Sequence, residues 1–106
     1  MRVLLDQGTP APLRHGLPLH GVETTHERGW STLRNGDLLQ AAENAGFDVV
    51  ITTDQNLQYH QNLAERRIAI VVLSTTSWPR IRAATEAIAD VVARCATEHF
   101  IEISIP

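Results

Sequence analysis

Short apolar runs alternate with stretches of helical spacing along the whole chain, the pattern of an α/β domain around a mostly parallel sheet. Val3-Leu4-Leu5 reads as a first buried strand, stopped by Asp6, Gly8 and Pro10. Pro10, Pro12 and Gly16 punctuate the next segment too heavily for a long helix and leave room only for a helical turn. A second short strand is expected from His20 to Thr25 around Val22, then a polar loop from Glu27 to Asn35 containing Gly29 and Trp30. Leu38, Leu39, Ala42 and Ala45 recur at helical spacing, so Asn35-Gly36-Asp37 opens a helix that runs to Ala45 and stops at Gly46. Asp48 to Thr52 is the third strand, Asn56 to Leu63 a short helix, and Ile68 to Leu73 a central-looking fourth strand. A long helix starting at Pro79 carries Ile81, Ala84, Ile88, Val91 or Val92, and Cys95 on one apolar stripe. Phe100 to Ile105 then makes an edge strand closed by Pro106.

The chain has 106 residues, which predicts one domain over 1–106. Such a domain buries roughly two-thirds of the surface its unfolded form exposes, enough for a core without staples. The longest purely apolar run, Ile68 to Leu73, falls far short of the roughly 18 residues that a membrane span needs, so no membrane role is expected. The first residues, Met1 to Asp6, show no cleavable signal pattern, and Cys95 has no second cysteine to pair with. A reducing cytoplasm is therefore the expected compartment. Asp and Glu number 12 against 9 cationic side chains, a formal charge of −3, so bulk charge does not advertise a nucleic-acid surface. Any such role must sit in a local site. Every cationic residue is arginine; the chain contains no lysine.

Three acids carry the chemistry. Asp6 ends the first strand, Asp54 ends the third, and Asp37 opens the helix between them. In a βαβ arrangement a strand ends at the sheet edge where the next helix begins, so all three can meet at the carboxyl edge. Asp37 also suits a first helical turn, where a carboxylate favours the macrodipole, and Asp54 could cap the helix that follows. Asp6 has no such alternative in its own sequence. Carboxylates gathered at one edge repel unless a cation lies between them, and oxygen ligands suit Mg²⁺ or Mn²⁺. The five histidines show no spacing for a zinc site, and Cys95 falls on the apolar stripe as a core residue. Arg34, just before the helix, and the Arg66-Arg67 pair offer guanidinium groups that match phosphate.

Acids ending strands one and three, with Ser74-Thr75-Thr76 after strand four, also suggest a phospho-receiver with Asp54 as acceptor. Receivers hold the phosphoryl oxygens with a lysine near the end of strand five. The absence of lysine argues against that class.

With the acids placed, the sequence resembles the PIN-like family of short bacterial proteins of unknown function, relatives of the PIN-domain ribonucleases that include VapC-type toxins. The resemblance runs from Val3 to about Leu73. Its landmarks are Leu4-Leu5-Asp6, Gly29-Trp30, Asn35-Gly36-Asp37-Leu38-Leu39, Phe47-Asp48-Val49-Val50-Ile51-Thr52-Thr53-Asp54-Gln55-Asn56-Leu57, Gln61-Asn62-Leu63 and Ile70-Val71-Val72-Leu73. It implies a PIN-like, Rossmann-like three-layer domain with a mostly parallel central sheet of four to five strands. It also implies an acidic pocket in which Asp6, Asp37 and Asp54 hold Mg²⁺ or Mn²⁺ for cutting RNA phosphodiesters. A metal there would lower the pKa of a bound water, so no protein nucleophile is needed. Thr53 could orient that water or a carboxylate, and Arg34 could contact the substrate. Relatives of this kind imply a cognate antitoxin as partner and a homo-oligomeric state.

Two positions depart from the family. Gln7 and Asn56 stand where acids are often found. Each swap keeps an oxygen ligand but removes a unit of charge, which motivates an alternative expectation: a PIN-like module that binds protein or RNA without cutting.

Overall fold

Five parallel strands form the centre of the computed structural model, in the order β2-β1-β3-β4-β5. The structure describes residues 1–56 and 66–106. The strands are β1 (Arg2–Leu5), β2 (Gly21–Thr24), β3 (Val49–Thr52), β4 (Ala69–Leu73) and β5 (Phe100–Ile103). A 3-10 helix (Ala11–Gly16) joins β1 to β2, and α1 (Asn35–Asn44) joins β2 to β3. Two helices, α2 (Trp78–Ala83) and α3 (Thr85–Glu98), lie between β4 and β5. The expected α/β class, the parallel sheet and a fifth strand at one edge are all present.

Strands β3 and β4 are buried at every position, which is why Val49 to Ile51 and Ala69 to Leu73 read as unbroken apolar runs instead of alternating ones. Successive side chains go to opposite faces. Val3 and Leu5, Ile51, and Val71 and Leu73 meet Leu13 of the 3-10 helix, Leu17 just after it, and Ile88, Val92 and Cys95 of α3. Leu4, Val50, Ile70 and Val72 meet Leu38, Leu39 and Ala42 of α1 together with Phe47. The result is three layers. Each fully buried Leu or Ile contributes roughly 1.5–3 kcal/mol, so these two faces dominate the stability.

The steps from β2 to β3 and from β4 to β5 run the same way across the sheet, yet α1 crosses on one face and α3 on the other. The two crossovers therefore have opposite hands, and one of them departs from the right-handed habit of about 98% of such units. The meeting of strand ends and helix starts at one edge does not depend on that hand. It requires only that the strands be parallel.

The helix expected to run on from Pro79 is broken. Ala84 takes φ −111° and ψ 14°, outside the helical region, and separates α2 from α3. The apolar stripe survives the break, because Ile81, Ile88, Val91, Val92 and Cys95 are all buried. At the break the 3-10 helix comes close: a Cβ on Gly16 would stand 2.8 Å from Thr85 Cγ2. Helix α1 ends as expected, with Gly46 at φ 85° beyond its last turn, a conformation that glycine adopts without the usual Cβ penalty. The short helix expected from Asn56 to Leu63 lies, from residue 57 on, outside the described residues. Among the described residues no helix is long and apolar enough to cross a membrane.

Candidate functional site

The chain leaves β1 for β2 on one side and reaches β3 on the other, so the sheet order reverses between β1 and β3. In open parallel sheets the connections diverge at such a switch point and leave a crevice outside the carboxyl ends of the strands. Asp6 follows β1 directly, and its amide still donates to the carbonyl of Ile51 at 2.9 Å. Leu5 pairs with Ile51, so Asp6 comes level with Thr52, the last residue of β3.

Thr52 is buried at 1% exposure, and its hydroxyl joins the two acids. It donates to Asp6 Oδ2 at 2.6 Å and accepts the amide of Asp54 at 3.1 Å. The other oxygen of Asp6 accepts the amide of Gln7 at 2.6 Å. Asp54 Oδ1 accepts the amide of Asn56 at 3.0 Å, closing a tight turn after β3. Both carboxylates are thus held in place by hydrogen bonds to neighbouring amides, and that of Asp6 also by the Thr52 hydroxyl.

A cleft of about 560 Å³ opens over these residues. Asp6, Gln7, Thr53 and Asp54 line it, Leu38, Leu39 and Val50 form an apolar part, and Arg34, exposed at the start of α1, lines it as well. Its size lies within the range of small-ligand sites. Gly8 also lines the cleft, and the backbone there runs so close to β3 that a Cβ on Gly8 would collide with Thr53 Oγ1.

The structure therefore brings together Asp6, Asp54, Gln7, Thr53 and Arg34. It does not bring Asp37 to them. Asp37 is exposed in the first turn of α1 and is absent from the lining of the cleft, with its amide bonded to Arg34 O at 3.1 Å. The reason is helical phase: Leu38 and Leu39 are drawn into the core, and the residue before them turns outward. Asn56 is exposed, and its contact with Asp54 is made by its backbone amide. Among the described residues no group of three or more His, Cys, Asp or Glu side chains is placed to hold a metal.

Sequence reasoning named Thr53 and overlooked Thr52. The signal was present: a polar β-branched residue closes an apolar strand, level with the acid that ends its neighbour. Cys95 is a core residue as expected. Its Sγ donates to Val92 O at 2.9 Å, and burial pushes its thiol pKa up. Arg66, whose guanidinium could match phosphate, instead binds Glu43 at 3.0 Å in a structural ion pair.

Fold and cleft together define a parallel α/β domain with two carboxylates and a guanidinium at its switch point. No family model, no curated protein and no solved structure matches this chain.

Proposed function

We propose that the cleft holds a divalent cation, Mg²⁺ or Mn²⁺, between Asp6 and Asp54 and presents it to an RNA phosphodiester, the activity that the resemblance to PIN-domain ribonucleases implies. The observation that carries this reading is that the acids ending β1 and β3 line one open cleft that Arg34 also lines. The donor set fits the ion. Carboxylate oxygens suit hard cations, and Mg²⁺ is commonly held by one or two carboxylates plus substrate phosphate and water, not by a full protein cage.

In this reading Thr52 and the Gln7 amide fix the carboxylate of Asp6, Arg34 takes the phosphate, and the Thr53 hydroxyl orients a water. Gln7 offers a neutral amide oxygen beside Asp6. A bound divalent ion supplies an acidified water and offsets charge on the phosphate. A cognate antitoxin and self-association are further implications of the resemblance, separable from cleavage.

The test is calorimetric titration with Mn²⁺ alongside an RNA-cleavage assay. Wild type is expected to bind Mn²⁺ at least about tenfold more tightly than Asp6→Asn or Asp54→Asn, in line with the loss of a unit charge from the site. Cleavage is expected to disappear in Asp54→Asn. Equal, weak heats from wild type and Asp6→Asn would end the metal reading.

A second reading has its own observation. With Asp37 outside the cleft and neutral Gln7 and Asn56 beside the remaining acids, the site carries less charge than a three-carboxylate cluster. A PIN-like module that binds RNA or protein without cutting it would bind RNA in Mn²⁺ and leave it intact.

A further inference from the structure

The sheet ends in two outer strands, β2 and β5, and an unpaired edge is a template for another strand. The two edges differ. At β2 the amides of Gly21 and Thr25 donate to Met1 O and Leu5 O, so Gly21, Glu23 and Thr25 face β1 and the backbone of Val22 and Thr24 turns outward. The loop after β2 uses Thr24: its amide donates to Glu27 Oε1 at 3.0 Å, and its carbonyl accepts the amide of Arg28 at 3.2 Å. Among the described residues only Val22 is left at this edge, too little for a ladder.

At β5 the amides of Ile70 and Ser74 donate to His99 O and Ile103 O, so His99, Ile101 and Ile103 face β4. The amide of Ile105 reaches Ser74 Oγ at 2.7 Å and carries the alternation past the end of the strand. The amides and carbonyls of Phe100, Glu102 and Ser104 therefore point away from the sheet, and among the described residues nothing bonds to them. β3 and β4 are buried throughout, but Phe100, Ile101 and Ile103 are only half-buried. Phe100 packs on the core shared with α1, and the two isoleucines on the core shared with α3. One more strand at this edge would finish covering both faces.

A second copy of β5 fits that place. Paired antiparallel about a two-fold axis at Glu102, Phe100 faces Ser104 of the second copy and Ile101 faces its Ile103, so every outward amide meets a carbonyl. Helix α3 packs on β4 and β5 alike, so it sits about half a strand spacing inside β5, and its two copies come within about 10 Å, an ordinary helix–helix spacing. Thr85 marks the flank of α3 that meets the 3-10 helix at Gly16, and helical phase puts Arg94 and Glu98 on the opposite flank, towards the edge. Both are exposed, and their own pair is loose, at 3.9 Å. Antiparallel helices bring Arg94 of one copy towards Glu98 of the other, so the flank is complementary in charge to itself.

We infer that the protein forms a two-fold dimer through β5, which joins the two sheets into one. The occupied edge of β2 ends the assembly at two copies instead of a filament. Glu102 meets its own copy at the axis, where directly opposed like charges limit the affinity. The inference rests on β5 and α3 and is independent of the cation reading of the first cleft.

Sedimentation velocity of the full chain over a roughly hundredfold range of concentration, with amide hydrogen exchange at both ends of the range, tests it. The chain is expected to pass from monomer to dimer and stop there. The amides of Phe100, Glu102 and Ser104 should gain protection at high concentration, and that of Val22 should not. Glu102→Gln is expected to tighten the dimer about two- to fivefold by removing the opposed charges. Glu102→Pro removes the same charge together with an outward amide that the monomer leaves unused, a change that an edge strand tolerates, so it should fold by circular dichroism and stay monomeric. If Glu102→Pro fails to fold, hydrogen exchange of the wild type decides. A folded Glu102→Pro protein that still dimerises, a dimer with unprotected β5 amides, or an affinity unchanged in Glu102→Gln overturns the pairing. Species larger than a dimer overturn its closure at β2. A wild-type chain that is monomeric at every concentration overturns the dimer and leaves the edge to an extended segment of another protein.

Discussion

The hydroxyl of Thr52 donates to Oδ2 of Asp6 across 2.6 Å, and the same oxygen accepts the amide of Asp54. One buried side chain on β3 thereby sets the direction of a carboxylate on β1 and the turn that carries the second acid. Thr52→Val keeps the shape and removes both bonds. Its expected cost is about 1–3 kcal/mol of stability, because the Asp54 amide and the Asp6 oxygen lose a partner. Mn²⁺ affinity is expected to fall roughly 10- to 100-fold, the usual effect of losing the group that orients a ligand. Thr52→Ser should restore most of both. Urea unfolding and calorimetry read the two effects separately, and a Thr52→Val protein that binds Mn²⁺ as wild type does would remove Thr52 from the site.

Glu43 fastens α1 to the start of β4. Its side chain is 7% exposed, binds Arg66 at 3.0 Å, and accepts the amides of Arg67 at 2.8 Å and Ile68 at 3.4 Å. Burial alone would raise its pKa, but the Arg66 guanidinium and the two amides outweigh burial and hold it below the ordinary carboxylate value. A carboxyl with a lowered folded pKa binds protons more readily in the unfolded chain. Its contribution is therefore complete above the unfolded pKa and is lost as pH falls through the lower folded value. In Glu43→Gln, urea unfolding at pH 7 should show a loss of about 2 kcal/mol, and the gap to wild type should narrow as pH falls below about 4. A gap that is constant with pH would mean that the charge of Glu43 contributes nothing.

Much of this arrangement is legible in the residues, and the illegible parts share a cause. The runs at Val49 to Ile51 and Ala69 to Leu73 are apolar throughout because helices or loops cover both faces, so their strands and the acid that follows β3 stand out. β2 offers little more than Val22, and only its neighbours show where it pairs. The break at Ala84 has no proline or glycine beside it; it occurs where Gly16 meets Thr85, a contact between distant segments. Sequence spacing likewise places Asp37 at a helix start near the carboxyl edge. The side of the helix it occupies depends on Leu38 and Leu39 entering the core.

A single residue, His99, links α3 to β5, and it holds φ 59° with ψ −38°. A side chain at positive φ brings its Cβ too close to the backbone, a cost of about 1–2 kcal/mol that glycine avoids. His99→Gly is expected to gain about 1 kcal/mol net of glycine's greater unfolded-state freedom, and to raise the melting temperature by about 4 °C or more. His99→Val should lower it. Calorimetric scans of the three proteins give the order, and a wild-type protein more stable than His99→Gly would show that the histidine side chain contributes more than the backbone costs.

Asp37 and Asp54 carry the same charge but should answer differently to its removal. Asp54 lines the cleft, whereas Asp37 faces solvent in the first turn of α1. Near a helix N-terminus a carboxylate is worth about 0.3–1 kcal/mol through the macrodipole, and salt screens that contribution. Asp37→Asn is therefore expected to lower stability slightly, by less at 1 M salt than at 0.05 M, and to change Mn²⁺ affinity less than twofold. Asp54→Asn should weaken Mn²⁺ at least tenfold at either salt concentration. The pair of variants separates a two-carboxylate site from the three-carboxylate cluster that the sequence suggests. If Asp37→Asn weakens Mn²⁺ as strongly as Asp54→Asn does, the start of α1 must move towards β1 and β3 when the ion binds, and the cleft would close around a third acid.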